Sequence, residues 1–381
     1  MRGRSRRERS NDVDEHGHSD GDESWANFCD ELKRAGQVLQ REAIAGDDLS
    51  LAEGYRHLVR MIRAGFEMTG EFGDTRHPEL VPMATRTMLS EGVTSDARYH
   101  QAFIDGSASH RISGERGQAP FIEFGVYTGR TGFHDSSKLT GCLTERELDV
   151  DADGRFELLL SPNQHAGNWI RTDAATRYLF VREYAHDWST LRPGDFAIER
   201  TDTAGPKAPL ELAAIRRALA ETARFVQSAP PFWAGISDYW AGFAVNEIVP
   251  QQQADSATDI TVPSGHRFAC GYFRLEPDEA LLVNFRPQPA PYWGLHLDNY
   301  WYEPLSWADN RSQLNNHSVH SEPDGSVRVV ISARAPAAPG NWLDTQGHRQ
   351  GTIVFRWSRS DEPLPEFTTR LVHADAAAAE S

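Results

Sequence analysis

Hydrophobic residues recur with two different spacings along the chain, and this difference separates helical from β-rich stretches. Between residues 50 and 73, apolar side chains recur every three to four positions, which predicts a helix with one apolar face. Ser50 and Glu53 have the spacing of a capping box, which predicts where this helix begins. The predicted apolar face consists of Leu51, Tyr55, Leu58, Val59, Ile62 and Phe66.

Two other stretches show helical periodicity. A weaker pattern covers about residues 30–44, and a clearer apolar stripe covers about residues 208–227. A separate aromatic-rich segment begins at Pro230. If that segment were exposed in the monomer, it would favour a role as an interaction scaffold.

The remaining sequence alternates with a period of two. From about residue 99 to 200, and again from about 266 to 372, short alternating runs are separated by Asp-Gly, Pro and Gly. This pattern is typical of an all-β sandwich or barrel, whose strands are joined by tight turns.

The two β-rich stretches share short markers in the same order and at a nearly constant offset, which indicates an internal duplication. Asp-Gly and Asn-Trp are interpreted as turn and packing residues. Arg182 and Arg356 occupy matching places after them, and each is expected to form a structural ion pair. The shared markers are Ala119-Pro120 with Ala290-Pro291, Asp153-Gly154 with Asp324-Gly325, and Gly167-Asn168-Trp169 with Gly340-Asn341-Trp342.

One part of the second stretch resembles a known family. The segments YWGLHLDNYWY, the Asn310-Arg311 pair, SVRVVISARAP after Asp-Gly, GNWL and TIVFRWS are similar to the domain-of-unknown-function 1214 family over about residues 292–372. The resemblance implies a jelly-roll-like β-sandwich, with the first stretch as a diverged upstream copy. It implies no catalytic set, so no site residue is transferred from it.

These observations together predict a mainly β protein with helical segments. We expect two jelly-roll-like β-sandwich modules from an internal duplication, an N-terminal helical region and a helical connector. The predicted divisions are a disordered tail at 1–24, a helical region at 25–95, the first β module at 96–200, the connector at 201–260, the second β module at 261–373 and a disordered tail at 374–381.

Composition narrows the classes of function. The 381 residues carry 39 Lys plus Arg against 55 Asp plus Glu, a formal net charge of -16, which argues against binding to nucleic acid or to anionic membrane surfaces. No run of about 18 apolar residues predicts a membrane span, and no apolar segment follows the basic N-terminus to form a secretory signal. Three cysteines without a CxxC spacing favour a reducing compartment. We therefore expect a cytoplasmic protein without membrane insertion, and homo-oligomerisation stays open.

The best candidate site lies at the start of the family-like stretch. Read as a strand, residues 292–302 place large apolar side chains on one face, with Trp301 at its edge. A His two residues from an Asp on the other face is the minimum for acid-base chemistry. A polar sheet surface with incidental tyrosines is the alternative. The second face carries Tyr292, His296, Asp298, Tyr300 and Tyr302.

Two polar loops supply further candidates. Asn310, Arg311 and His317 lie just downstream of the strand, where the Arg could hold a developing oxyanion. The matching loop of the first module carries His134. Turn capping by these polar residues is the competing interpretation.

The absence of nucleotide, zinc-protease and serine-hydrolase motifs leaves two classes of function open. The first is a cofactor-independent lyase, isomerase or hydrolase for a bulky hydrophobic or aromatic substrate, with no metal. For this enzyme, we expect His296 and Asp298 to transfer the proton and Arg311 to stabilise negative charge. The residues expected to contact the substrate are Tyr292, Tyr300, Trp301, Tyr302, Asn310, His317 and His134. The alternative is a non-catalytic carbohydrate- or lipid-binding β-sandwich.

Overall fold

The computed structural model describes residues 19–134, 137–251, 265–305, 311–337 and 339–377. Residues 1–18 of the predicted N-terminal tail, residues 378–381 of the predicted C-terminal tail and the candidate Asn310 lie outside these residues. Helix α1 nevertheless begins at Ser19, within the predicted N-terminal tail, and α4 occupies the start of the predicted C-terminal tail. The helices are α1 (Ser19–Ala35), α2 (Asp48–Phe66), α3 (Leu212–Phe243) and α4 (Ala374–Ala377).

Helix α2 forms where periodicity predicts a helix, but its start and its buried face differ from the prediction. Its N-cap is Asp47, whose carboxylate accepts the Ser50 backbone N–H at 3.1 Å, so Ser50 lies inside the helix. Tyr55 and Val59 of the predicted apolar face are 60% and 66% exposed. The helix buries Ser50, Glu53, Gly54, His57, Met61, Ala64 and Gly65 instead.

Helix α3 is longer than the periodicity indicated, because it continues through Pro230 and Pro231. A proline inside a helix lacks the N–H donor and strains the preceding turn. Burial of Trp233 and Trp240, each 4% exposed, offsets that cost. The aromatic segment is therefore mostly core, with Phe243 exposed near its end.

Two β-sandwiches with the same strand order follow each other along the chain. In each, a five-stranded sheet faces a four-stranded sheet, and successive strands pass repeatedly between the two. The first sandwich has the orders β1-β2-β8-β4-β5 and β7-β6-β3-β9, and the second has β10-β11-β17-β13-β14 and β16-β15-β12-β18. The predicted fold class, two similar jelly-roll-like modules with helical additions, is confirmed.

The strand bounds show the duplication element by element. The first module contains β1 (Val81–Pro82), β2 (Ala97–Phe103), β3 (His110–Glu115), β4 (Phe121–Tyr127), β5 (Leu139–Thr144), β6 (Arg155–Ser161), β7 (Trp169–Arg171), β8 (Tyr178–Tyr184) and β9 (Asp195–Arg200). The second contains β10 (Ile248–Pro250), β11 (His266–Arg274), β12 (Glu279–Phe285), β13 (Tyr292–Asp298), β14 (Gln313–Asn315), β15 (Val327–Ser332), β16 (Asn341–Asp344), β17 (Gln350–Ser358) and β18 (Phe367–His373).

The duplicated Asn-Trp markers have the same structural role in both modules. The side-chain amide of Asn168 donates to the carbonyls of Asp149 and Glu157, and that of Asn341 donates to those of His320 and Arg328. Each asparagine thus ties a loop to its sheet, as the structural interpretation of these markers predicts.

Each five-stranded sheet has a second buried face outside its own sandwich core. Tyr292 of β13 packs in one cluster with Tyr99, Phe121 and Tyr184 of the first module. Elsewhere on the same face of the second module, Cys270 and neighbouring side chains pack against α3. The inter-module layer is therefore enclosed by both modules and the helices, and it contains the candidate site.

Candidate functional site

Strand β13 directs alternate side chains into the second module and into the inter-module layer. Trp293, Leu295 and Leu297 belong to the module's own core. His296 and Asp298 point the other way and are 1% and 0% exposed. The predicted division into two faces therefore holds as far as Asp298, where the strand ends.

His296 and Asp298 form a buried pair. The distance between His296 Nε2 and Asp298 Oδ1 is 3.4 Å. Neither that nitrogen nor either Asp298 oxygen has a hydrogen-bond partner among the described residues. A buried carboxylate without hydrogen bonds is strongly destabilising, and such groups concentrate at functional sites.

A second buried carboxylate lies at the other end of β13. Asp96 accepts hydrogen bonds from the Tyr292 hydroxyl and the Asn315 side-chain amide, both at 3.0 Å. Burial raises the pKa of Asp96 to about 6, although these hydrogen bonds and the charge of His296 oppose the shift. Asp96 can therefore change protonation near neutral pH.

Gly294 makes room for this arrangement. A Cβ at Gly294 would lie 2.5 Å from the Tyr292 hydroxyl oxygen, so the tyrosine ring lies back along its own strand. Sequence reasoning identified Tyr292 but missed Asp96 and Gly294. Asp96 is 196 positions away from Tyr292 along the chain.

Tyr302 enters the inter-module layer from a tight turn and not from the strand. Its φ of 60° is in the left-handed region, and its ring stacks on Trp233 with centroids 5.8 Å apart. Burial raises the pKa of Tyr302 well above its usual range, with further contributions from nearby Cys270 and Asp298. Burial also raises the pKa of the Cys270 thiol to about 12. Tyr302 and Cys270 are therefore protonated neighbours of Asp298.

Tyr300 and Trp301 anchor the helices, which corrects their predicted face and place. The Tyr300 hydroxyl donates to Asp238 Oδ1 and accepts from Arg41 Nε, both at 2.7 Å. Trp301 Nε1 donates to the Ser50 carbonyl at 2.7 Å. These side chains turn away from His296 because the strand ends at Asp298.

A buried charged network on α2 was not predicted. His57 Nδ1 lies 2.9 Å from Glu303 Oε1, and Arg60 donates to Glu303 Oε2 at 2.6 Å. Glu53 contacts His348 Nε2 at 2.9 Å. Glu53, His57 and Arg60 occupy positions i, i+4 and i+7 of one helix face, a signal present in the sequence. The network holds the turn after β13 and therefore positions Asp298.

The remaining predicted residues lie away from the His296–Asp298 pair. Arg311 has a side chain that is 54% exposed and forms an ion pair with Asp344 at 3.0 Å. The His317 ring lies 5.8 Å from that of His186, near the Tyr292 end of the strand. His134 contacts Phe103 of the first module at 5.9 Å between ring centroids. His134 and His317 therefore have different aromatic neighbours in the structure.

The two duplicated arginines have different partners. Arg182 donates to Glu123 Oε1 at 2.8 Å and to the Tyr127 hydroxyl at 3.0 Å, which is the predicted structural ion pair. Arg356 donates to the Gly92 carbonyl, and no ion pair joins it to a carboxylate of the described residues. The expectation of an ion pair is therefore wrong for Arg356.

Comparison with known proteins identifies the family. The family model DUF1214, described as a protein of unknown function, matches residues 93–187 and again residues 274–362. The crystal structure of an uncharacterized protein from Burkholderia cenocepacia is 33% identical over 93% of this chain and 97% of that chain, with a TM-score of 0.87. The chain belongs to the DUF1214 family. The double match confirms the duplication of the DUF1214 module.

More distant matches add little to the DUF1214 assignment. The crystal structure of a Vibrio parahaemolyticus protein is 11% identical over 82% of this chain and 97% of that chain, with a TM-score of 0.45. No curated protein matches this DUF1214 chain.

Among the residues described, no helix is both long and apolar enough to cross a membrane. The same residues contain no group of three or more His, Cys, Asp or Glu side chains placed to hold a metal ion.

Proposed function

We propose that this protein is a cofactor-independent lyase, isomerase or hydrolase that moves a proton on a bulky hydrophobic or aromatic small molecule. His296 and Asp298 are the acid-base pair. The observation that carries the proposal is the fully buried Asp298 carboxylate, whose two oxygens have no hydrogen bond in the described residues and which lies 3.4 Å from His296 Nε2. The proposal includes the cytoplasmic location expected from the cysteine content.

A contribution to the stability of the fold does not explain the buried His296–Asp298 pair. An unpartnered polar group costs about 1–3 kcal/mol when it is buried, and more when it is charged. Residues that impose such a cost are common where a reaction needs a base in a dry environment. His296 and Asp298 fit this description because both lie inside the inter-module layer.

The surrounding side chains suit a hydrophobic substrate. Tyr292 and Tyr184 have ring centroids 5.3 Å apart, and Tyr302 stacks on Trp233 beyond them. Aromatic walls bind ring-containing molecules by stacking and exclude water from a proton-transfer step. Asp96, with a pKa of about 6, is a second group that can exchange a proton in the same layer.

A non-catalytic carbohydrate or lipid binder is the alternative. This alternative requires aromatic side chains that are exposed on a shallow face of the protein. Tyr292, Tyr300 and Trp301 are 1%, 0% and 0% exposed, so they offer no such face. Their burial favours the enclosed site of an enzyme over a surface that stacks sugars.

The experiment is a substrate screen in D2O with variants of the buried pair. The protein is incubated with aromatic, terpenoid and steroid-like compounds, and mass spectrometry records both new products and deuterium incorporation. The wild-type protein is expected to convert or exchange at least one compound. Asp298→Asn and His296→Gln are each expected to reduce this at least 100-fold, which is the usual size of a general acid-base contribution.

The second module offers a matched control. His373 Nε2 lies 3.4 Å from Asp278 Oδ2, the same separation as in the buried pair, but both side chains are more than half exposed. His373→Gln should retain full activity. A wild-type protein that acts on no compound in the screen, or His296→Gln and Asp298→Asn variants with normal turnover, would contradict the proposal and favour the binder.

A further inference from the structure

Each module has an arginine at the same position of the equivalent strand, but only one of these two arginines has a carboxylate opposite it. In the first module, Glu123 of β4 is the register partner of Arg182 in β8. In the second module, Gly294 of β13 is the register partner of Arg356 in β17. The two modules therefore share the cation, but in the second module a residue without a side chain stands where the first has a carboxylate.

Arg356 is buried among aromatic and neutral groups. It is 8% exposed, its guanidinium lies 5.1 Å from the centre of the Phe268 ring, and its Nε has no hydrogen-bond partner in the described residues. Among the described residues, its guanidinium donates to the Gly92 carbonyl. The four ionisable groups that act on it most strongly are Tyr99, Tyr184, Tyr292 and Tyr302.

The nearby carboxylates Glu123 and Glu145 form ion pairs with other arginines and not with Arg356. Glu123 pairs with Arg182 at 2.8 Å, and Glu145 pairs with Arg359 at 3.4 Å. His266 adds no negative charge. Burial, and then the charges of Arg182, Arg359 and Arg356, hold the pKa of His266 well below its usual range, so it is neutral. Among the described residues, Arg356 therefore has no carboxylate in ion-pair contact.

The unpaired cation indicates the kind of ligand. A buried cation is costly unless an anion pairs with it. Arg356 carries a single positive charge, so one carboxylate is enough to pair with it, whereas the second charge of a dianion would stay buried without a partner. The planar fork of an arginine matches the two oxygens of a carboxylate.

The Arg356 site adjoins the acid-base pair. Both Arg356 and Asp298 act electrostatically on Cys270 and on Tyr302, so both lie near these two residues. A molecule anchored at Arg356 could thus extend along the tyrosine rings toward Asp298. The approach is apolar as well as aromatic, since Phe268 faces the guanidinium.

We propose that Arg356 binds the carboxylate of an organic monoanion whose aromatic or alicyclic body lies among Tyr99, Tyr184, Tyr292 and Tyr302. This inference rests on the proposed function and names its substrate class, a hydrophobic carboxylic acid. Arg356 anchors the substrate, while His296 and Asp298 move the proton. Arg182 has the structural role of a buried ion pair.

The test compares acids with their neutral amides. Binding of 1-naphthoate, benzoate and cyclohexanecarboxylate to the full chain is measured by calorimetry beside 1-naphthamide, benzamide and cyclohexanecarboxamide. We expect at least one acid to bind at least 10-fold more tightly than its amide. Arg356→Gln should remove that preference. Arg286→Gln removes an exposed arginine paired with Asp324 in the same module and should preserve it.

The outcomes separate this inference from the proposed function. Equal binding of every acid and its amide to the wild-type protein, or no binding of any acid, overturns the inference without use of a variant. An acid preference that survives in Arg356→Gln also overturns it. If His296→Gln keeps the acid preference while no compound is ever converted or exchanged in D2O, the anion site stands and the proposed catalysis fails.

Discussion

The two modules differ most on the faces that they turn toward each other. In β4 of the first module, Phe121, Glu123 and Tyr127 occupy this face, and Glu123 neutralises Arg182. In β13 of the second module, four side chains stand at the corresponding register positions: Tyr292, Gly294, His296 and Asp298. Both strands keep apolar residues on the opposite face, in their own sandwich cores.

This difference separates the structural role from the candidate function. The core-facing residues preserve the sandwich in both copies, because any polar substitution there would cost burial energy. On the inter-module face of the first copy, Glu123 pairs with Arg182. Among the described residues, the same face of the second copy contains a carboxylate without a hydrogen bond and an arginine without an ion pair.

The largest expected effect contrasts the two equivalent arginines. Arg182→Met leaves Glu123 buried without its cation, and removal of one partner of a buried pair costs about 3–5 kcal/mol. Arg356→Met removes a buried charge that has no carboxylate partner, so the free energy of unfolding should stay within about 1 kcal/mol of wild type or increase. Urea denaturation of both variants measures the difference. Similar losses in the two variants would show that Arg356 also has a structural ion pair.

The second expected effect is the pH dependence that comes from Asp96. Its pKa in the folded protein is raised to about 6 from an ordinary value of 3.8, so the folded state binds the proton more tightly than the unfolded state. The contribution to stability is therefore fully present below about pH 4 and is lost as pH rises through about 6, a change of about 3 kcal/mol.

Two variants isolate this contribution. Asp96→Asn should remove the fall in stability between pH 4 and 6, measured by urea denaturation across that range. Tyr292→Phe restores the residue type that the first module has at Phe121 and removes a hydrogen bond to Asp96. It should extend the fall to higher pH, because the ionised carboxylate loses a donor. An unchanged pH profile in Asp96→Asn would assign the dependence to other groups.

The smallest expected effect concerns the asparagine that has the same structural role in both modules. Asn168→Ala and Asn341→Ala each remove three hydrogen bonds to the backbone, at distances between 2.8 and 3.0 Å: two donated by the side-chain amide and one accepted by its oxygen. Each should lower the free energy of unfolding by about 2–3 kcal/mol, since a net hydrogen bond contributes about 1 kcal/mol. Thermal unfolding of the two variants should give similar losses. A large difference between them would limit the equivalence to backbone topology.

The sequence was informative where a residue's role depends on its close neighbours along the chain. The alternation of β13 was predicted as far as Asp298, because side-chain direction in a strand changes at every residue. Beyond Asp298 the same alternation failed, because Asn299 Oδ1 accepts the backbone N–H groups of Trp301 and Glu303 and closes a turn. Tyr300 therefore left the predicted face, and Tyr302 reaches the inter-module layer from the turn.

The α2 helix shows a second limit. Its periodicity predicted a helix, but the most apolar face is partly exposed and a face carrying Glu53 and His57 is buried. Hydrophobicity alone could not reveal this, because the partners Glu303 and His348 come from the second module. Charged residues are buried when distant partners satisfy them.

The sequence by itself determined the duplication, the two β-sandwich modules and the presence of His296 and Asp298 on one strand face. These properties follow from turn residues and from periods of two or four residues, which are local. Only the tertiary structure decided that Arg182 has a carboxylate and Arg356 does not, and that Asp96 meets Tyr292 across 196 positions of the chain. Burial and charge balance depend on which distant segments pack together, and no local pattern encodes that.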